Sequence, residues 1–182
     1  MKNVMLDLET LGTGNDAAII SIGACLFDPR GDGVLIGVDH RFYARVNPAS
    51  SVEIGMKIDV STILWWMQQS DAARKSTFEG DSLWIQHALK NFDEFIKQGH
   101  AENIWGNAST FDNIILRSAY RLAKLAPPWH FRGDKCYRTV MNLVPKDKQP
   151  PWDHGGTAHN ALDDAVNQAL RLQKAWKILA LP

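Results

Sequence analysis

The stretch NVMLDLETLG, residues 3–12, decides how the rest of the chain is read, because it sets two carboxylates into an otherwise apolar run. Alternation along an extended strand puts Val4, Leu6 and Leu8 on one face and Met5, Asp7 and Glu9 on the other. Two like charges on one face repel, and taking them out of water is costly unless something positive compensates. A divalent cation would supply that partner. An edge strand with one wet face would also tolerate both acids, so the remainder of the sequence has to discriminate.

With 20 basic and 20 acidic residues the formal net charge is zero, so no global field steers the chain towards nucleic acid or membrane, and any polyanion must be met locally. The 182 residues, 45% of them hydrophobic, suffice for one sizeable core and leave little room for a second, so residues 1–182 read as a single domain. Cys25 and Cys136 lie far apart, without metal-type spacing or any sign of a disulfide framework. No basic leader precedes the first strand, and no apolar run reaches the length of a membrane span. A soluble, cytoplasmic protein is expected.

Outward from the opening stretch, AAIISIGACLFD (17–28) and HRFYARVN (40–47) are two further strands, separated by the turn PRGDG (29–33). Short turns favour antiparallel neighbours, so a three-stranded meander is expected. Residues 59–76 read as one short helix. Residues 81–99 read as a long one, with Ile85, Ala88, Leu89, Phe92 and Ile96 at helical spacing and Gly99 as the stop. NIWGN (103–107) is a short buried strand, 111–125 a helix closed by Pro127 and Pro128, and 136–144 a strand or mixed segment. The last helix runs from about Asn160 to Leu179. This order predicts an α/β fold with a mixed sheet. The loop 145–159 is the one long irregular segment, a place where function often sits.

That loop ends in AHNALDDA (158–165). Asn160 is a good N-cap, and Ala165, Ala169, Leu172, Trp176 and Leu179 form the core stripe of the helix it opens. Asp163 falls nearly opposite that stripe and Asp164 on its flank, so Asp164 is the better ligand and Asp163 the better solvated charge. His159 lies on the loop side, where a surface histidine is the alternative reading. In IWGNASTFD (104–112) a short strand leads into a Ser/Thr helix start and carries Asp112 into the first turn. Alone, Asp112 reads as a charge favoured by the helix dipole. Together the segments supply four acids from separated elements, with a histidine at hand.

DLET with its nearby glycine, WGNASTFD and HNALDDA resemble the three motifs of the DEDDh 3′–5′ exonucleases, the family of proofreading exonucleases and ribonuclease T. Four residues separate His159 from Asp164, which matches the h subtype. The resemblance spans nearly the whole chain in motif order. STILWWMQQSDAARKS (61–76) is further similar to a small branch of bacterial and phage 3′–5′ exoribonucleases. Leu11 stands where many relatives have Thr.

The resemblance implies a ribonuclease H-like fold: a mixed five-stranded sheet, three antiparallel strands first and parallel additions after, flanked by helices. It implies two divalent ions, Mg²⁺ or Mn²⁺, with Asp7 bridging them, Glu9 and Asp164 completing the first site and Asp112 holding the second. Oxygen ligation with open positions suits these hard cations better than zinc. In two-metal hydrolysis one ion activates the attacking water and both stabilise the oxygens of an in-line displacement. His159 is the expected general base, mounted beside Gly155 and Gly156 on a loop that implies mobility, and expected to close over the site only with substrate present.

Thr10, Leu11, Gly12, Asn107 and Phe111, in or beside these motifs, are the expected substrate-binding residues, joined by Trp65, Trp66 and Arg138. A neutral chain argues against tracking a long duplex, whose non-specific binding rests on many phosphate contacts; a single-stranded 3′ end needs fewer. Adjacent Trp65 and Trp66 cannot both face the core of one helix. One is a base-stacking platform, or the pair divides between core and a subunit contact, which admits a homodimer. Lys135, Lys146 and Lys148 join Arg138 as candidate phosphate contacts. His154 and His159 as a zinc pair lack a third nitrogen or sulfur ligand. A ribonuclease H-type endonuclease, or a catalytically inactive nucleic-acid-binding relative, is the alternative function.

Overall fold

The structure, a computed structural model, describes residues 3–33, 40–152 and 156–181. Its centre is the opening stretch: β1 (Asn3–Thr10) pairs antiparallel with β2 (Ile19–Phe27) on one side and parallel with β4 (Asn103–Gly106) on the other. β3 (Arg41–Arg45) extends the sheet antiparallel beyond β2, and β5 (Asp134–Cys136) extends it parallel beyond β4, giving the order β3-β2-β1-β4-β5. The meander and the mixed five-stranded sheet are as expected. The connection between β2 and β3 passes through residues 34–39, outside the described ones.

The alternation of β1 separates two apolar layers. Val4, Leu6 and Leu8 pack with Ile85, Leu89, Phe92 and Ile96 of α4 (Ile85–Gln98) and with Ile115, Leu116 and Ala119 of α5 (Ile114–Leu122). Met5 packs on the other face with Cys25, Phe27 and Trp105, against Met141 of α6 (Tyr137–Leu143) and Ala165, Ala169, Leu172 and Ala175 of α7 (Ala161–Ile178). Helices thus cover both faces of the sheet. Among the described residues no helix is long and apolar enough to cross a membrane.

Two segments differ from the sequence reading. Residues 59–76 form two helices, α2 (Val60–Met67) and α3 (Asp71–Phe78), following the short α1 (Pro48–Glu53). The break comes where the Ser70 hydroxyl accepts from the N–H of Ala73 and starts a new helix. Residues 136–144 are mostly helical, because β5 ends at Cys136 and α6 begins at once.

One glycine positions the last helix. Asp7 faces Gly23 across the β1–β2 ladder, and a Cβ on Gly23 would lie 2.1 Å from the carbonyl carbon of Ala161. Directly opposed residues project to the same face. The missing side chain at Gly23 therefore admits the first turn of α7 beside Asp7, and with it Asp164.

Candidate active site

At the C-terminal ends of β1 and β4 lies a cavity of about 660 Å³ whose wall includes Asp7, Glu9, Asp112, His159 and Asp164. The structure thus brings together all five residues expected to do chemistry, from β1, from the segment after β4, and from the start of α7. Arg138 is the one guanidinium among the described lining residues. Four carboxylates consequently face a space with little fixed positive charge.

Each acid is delivered by a local device. Asp7 and Glu9 follow from strand alternation. Asp112 sits in a π-helical turn (Ser109–Asn113) rather than an ordinary first helical turn, a distortion that recurs at functional sites. Its oxygens accept from the backbone N–H of Ala108 (3.1 Å) and of Leu8 (3.3 Å), which ties the turn to β1. Gly106 permits this: a Cβ there would stand 2.3 Å from Oδ1 of Asn113 and 2.9 Å from Cβ of Asp112. At the start of α7 the side chain of Asn160 accepts from the N–H of Leu162 and of Asp163. Asp163 turns back to accept from Thr157 N at 2.8 Å, while Asp164 lines the cavity and accepts from His159 N at 3.0 Å.

His159 already stands at the cavity. Its backbone is left-handed, with φ of 63°, uncommon for a side-chain-bearing residue. Thr77 of α3 donates its hydroxyl to the His159 carbonyl at 3.1 Å, and the ring lies edge-on to Trp65, 5.0 Å between centroids. Glu9, His159 and Asp164 offer ligand atoms that all lie within 4.8 Å of one another, an arrangement that could hold a metal ion. His154 and Gly155, invoked for a zinc pair and for mobility, lie outside the described residues.

The electrostatics follow from burial and crowding. Burial first, then the carboxylates of Asp112, Glu9 and Asp164, push the Asp7 carboxyl well above the usual range, opposed by a hydrogen bond from Gln168. Glu9 is pushed up to about 8 by burial and then by Asp164 and Asp112. Asp112 is raised to about 6, burial outweighing the backbone N–H donors that favour its charged form. An oxygen-rich, buried group of acids that resist losing their protons fits hard divalent cations, which would restore the charge balance.

A second cavity of about 390 Å³ adjoins the first along Leu8, Glu9 and Phe111, and is further lined by Thr10, Gly12, Thr13, Ser61, Thr62, Trp65 and Trp66. The tryptophan pair divides. Trp66 is 3% exposed and donates its indole N–H to the Thr10 carbonyl at 2.9 Å, whereas Trp65 is 42% exposed. Asn107 borders the larger cavity and Phe111 both. Leu11 borders neither: it is buried in the apolar core, because the register slips between Glu9 and Thr10 and the alternation of β1 does not continue past it. Lys135, Lys146 and Lys148 also line neither cavity.

Sequence reasoning missed several residues of the wall, Gln168 and Trp152 among them. Gln168 is 1% exposed and donates Nε2–H to Oδ1 of Asp7 at 2.7 Å, and its amide oxygen meets no donor among the described residues. Its spacing of four from Asp164, one turn along the same face, was the available signal. Trp152 gave none beyond its place in the long loop.

The mixed five-stranded sheet flanked by helices is a ribonuclease H-like fold. Residues 2–176 match the model of the 3′-5′ exoribonuclease Rv2179c-like domain, and the chain belongs to that family. It is 28% identical over 212 residues to an exodeoxyribonuclease of Enterobacteria phage T4, covering 97% of this chain and 90% of that protein. The nuclease domain of 3′hExo, a DEDDh family member solved bound to rAMP, shares the fold: TM-score 0.59 at 16% identity, over 96% of this chain and 90% of that one.

Proposed function

We propose that the protein hydrolyses single-stranded nucleic acid stepwise from the 3′ end to 5′-mononucleotides, with two divalent cations held by Asp7, Glu9, Asp112 and Asp164. The observation that carries this reading is the convergence of those four acids and His159 on one cavity. Four carboxylates repel a phosphodiester unless cations intervene, so acids without bound cations make a poor phosphate site. Held there, Mg²⁺ or Mn²⁺ supplies Lewis acidity and charge neutralisation at phosphorus.

The chain's own groups do the rest. His159 takes the proton of the attacking water. The 3′-terminal nucleoside enters the smaller cavity, where exposed Trp65 and Phe111 offer apolar surface to a base. Trp66 serves differently: its hydrogen bond to the Thr10 carbonyl fixes the end of β1 beside Glu9. Arg138 and Asn107, on the wall of the larger cavity, meet the phosphate backbone.

A 5′-labelled single strand incubated with Mn²⁺ should give a descending ladder, and a 3′-phosphate should block it. Cleavage of a circular single strand as fast as a linear one would replace the exonuclease reading by an endonuclease.

A further inference from the structure

We propose that Trp152 is the stacking platform for the nucleotide on the 5′ side of the scissile phosphate, and that Arg171 holds it in place. The proposal rests on the reading that the 3′-terminal nucleoside occupies the smaller cavity. The two cavities meet at Leu8, Glu9 and Phe111, and Trp152 and Arg138 line the larger one only. A strand with its last base beside Trp65 and its last phosphodiester at the carboxylates therefore continues along the wall formed by Arg138 and Trp152.

Trp152 belongs to the long irregular segment between α6 and α7, yet its indole is anchored. The Arg171 guanidinium lies over the ring, 4.8 Å from its centroid. Arg171 is itself fixed, donating Nε–H to the Pro150 carbonyl at 3.0 Å and Nη1–H to the Tyr137 hydroxyl at 2.8 Å. Tyr137, the first residue of α6, is buried in the cluster that α7 completes. One guanidinium thus ties the loop to two helices and sets an aromatic ring at the cavity wall before any ligand arrives, which lowers the ordering cost of binding. Bases of any identity stack on such a ring, as stepwise digestion requires, and Arg138 adds a cation for the adjoining phosphate.

The test compares a single strand with the same strand lacking only the base of its penultimate nucleotide. Wild type should remove the terminal nucleotide from the complete strand with kcat/KM roughly 5- to 160-fold higher, the span of one base–aromatic stack. Trp152→Ala should retain a preference of no more than about twofold, the signature of a lost pairwise coupling, and Trp152→Phe should keep most of it. A wild type without the preference, or an Ala variant that discriminates as wild type does, overturns the assignment. A wild type that removes no 3′ nucleotide from either strand overturns the underlying reading instead, a result visible before any variant is compared.

Discussion

Gln168 donates its side-chain N–H to Oδ1 of Asp7 at 2.7 Å, joining α7 to the central strand in a wall that carries four carboxylates. A carboxylate oriented by a fixed donor is a better ligand than a free one, because partners behind the ligands set their orientation and basicity. The bond also favours the charged form of an acid that burial and three neighbouring carboxylates drive towards neutrality.

Replacing Gln168 by Leu should therefore weaken Mn²⁺ binding by about 10- to 100-fold, the usual range for losing such a partner. The metal-free variant should still fold, since the substitution also removes an amide oxygen that meets no donor among the described residues. Calorimetric titration checks this. Equal Mn²⁺ affinities would reduce Gln168 to a space filler.

The raised acids make stability pH-dependent with a definite sign. Glu9, pushed up to about 8, and Asp112, raised to about 6, keep protons in the folded metal-free chain at pH values where unfolded carboxylates have lost them. Between roughly pH 4 and 8 the folded state thus binds more protons than the unfolded one, and stability falls as pH rises. Metal-free protein should lose Tm over that window, and Glu9→Gln should lose less. Saturating Mg²⁺ should flatten the profile, because cation binding expels the protons. Scanning calorimetry at several pH values decides it, and a Glu9→Gln slope identical to wild type would contradict the assignment.

The neighbouring aspartates of α7 should behave differently although they differ by one position. Asp163 accepts from Thr157 N, a bond that an Asn side-chain oxygen can replace, so Asp163→Asn should change activity little. Asp164 borders the cavity and lies with Glu9 and His159, so Asp164→Asn should abolish hydrolysis and much of the rise in Tm that Mn²⁺ produces. Parallel thermal scans with and without Mn²⁺ separate the two. Equal behaviour would remove Asp164 from the ligand set.

Much of this architecture is legible wherever one periodicity governs a segment. The two faces of β1, the stripe of α4 and the contrast between Asp163 and Asp164 all follow from counting residues on a strand or a helix. What escaped depends on contacts across the chain. The burial of Leu11 in the core was not legible in the motif that named it, because a register shift at the end of β1 turns its side chain inward. The π-helical turn at Asp112 is tied down by the N–H of Leu8, distant in sequence, which donates to its carboxylate. Gln168 reads as one more polar position on a long helix until Gly23 lets that helix settle beside Asp7.

The sharpest question concerns His159, since its ring stands close enough to Glu9 and Asp164 to be a metal ligand as well as a base. Its backbone, at φ of 63°, is one that Asn tolerates better than Ala, so His159→Asn removes the imidazole with the smaller backbone penalty. A general base acts on the proton of the attacking water and not on the cations. As a base, its loss should lower kcat by roughly 10²- to 10⁴-fold and leave the Mn²⁺ binding midpoint unchanged. Raising the pH should then recover part of the rate, because hydroxide replaces the missing acceptor. As a ligand, its loss should weaken Mn²⁺ binding, with excess Mn²⁺ rather than higher pH restoring activity. Near-full activity of His159→Asn at ordinary metal concentration would exclude both roles and leave the histidine as a wall of the larger cavity, packed edge-on against Trp65.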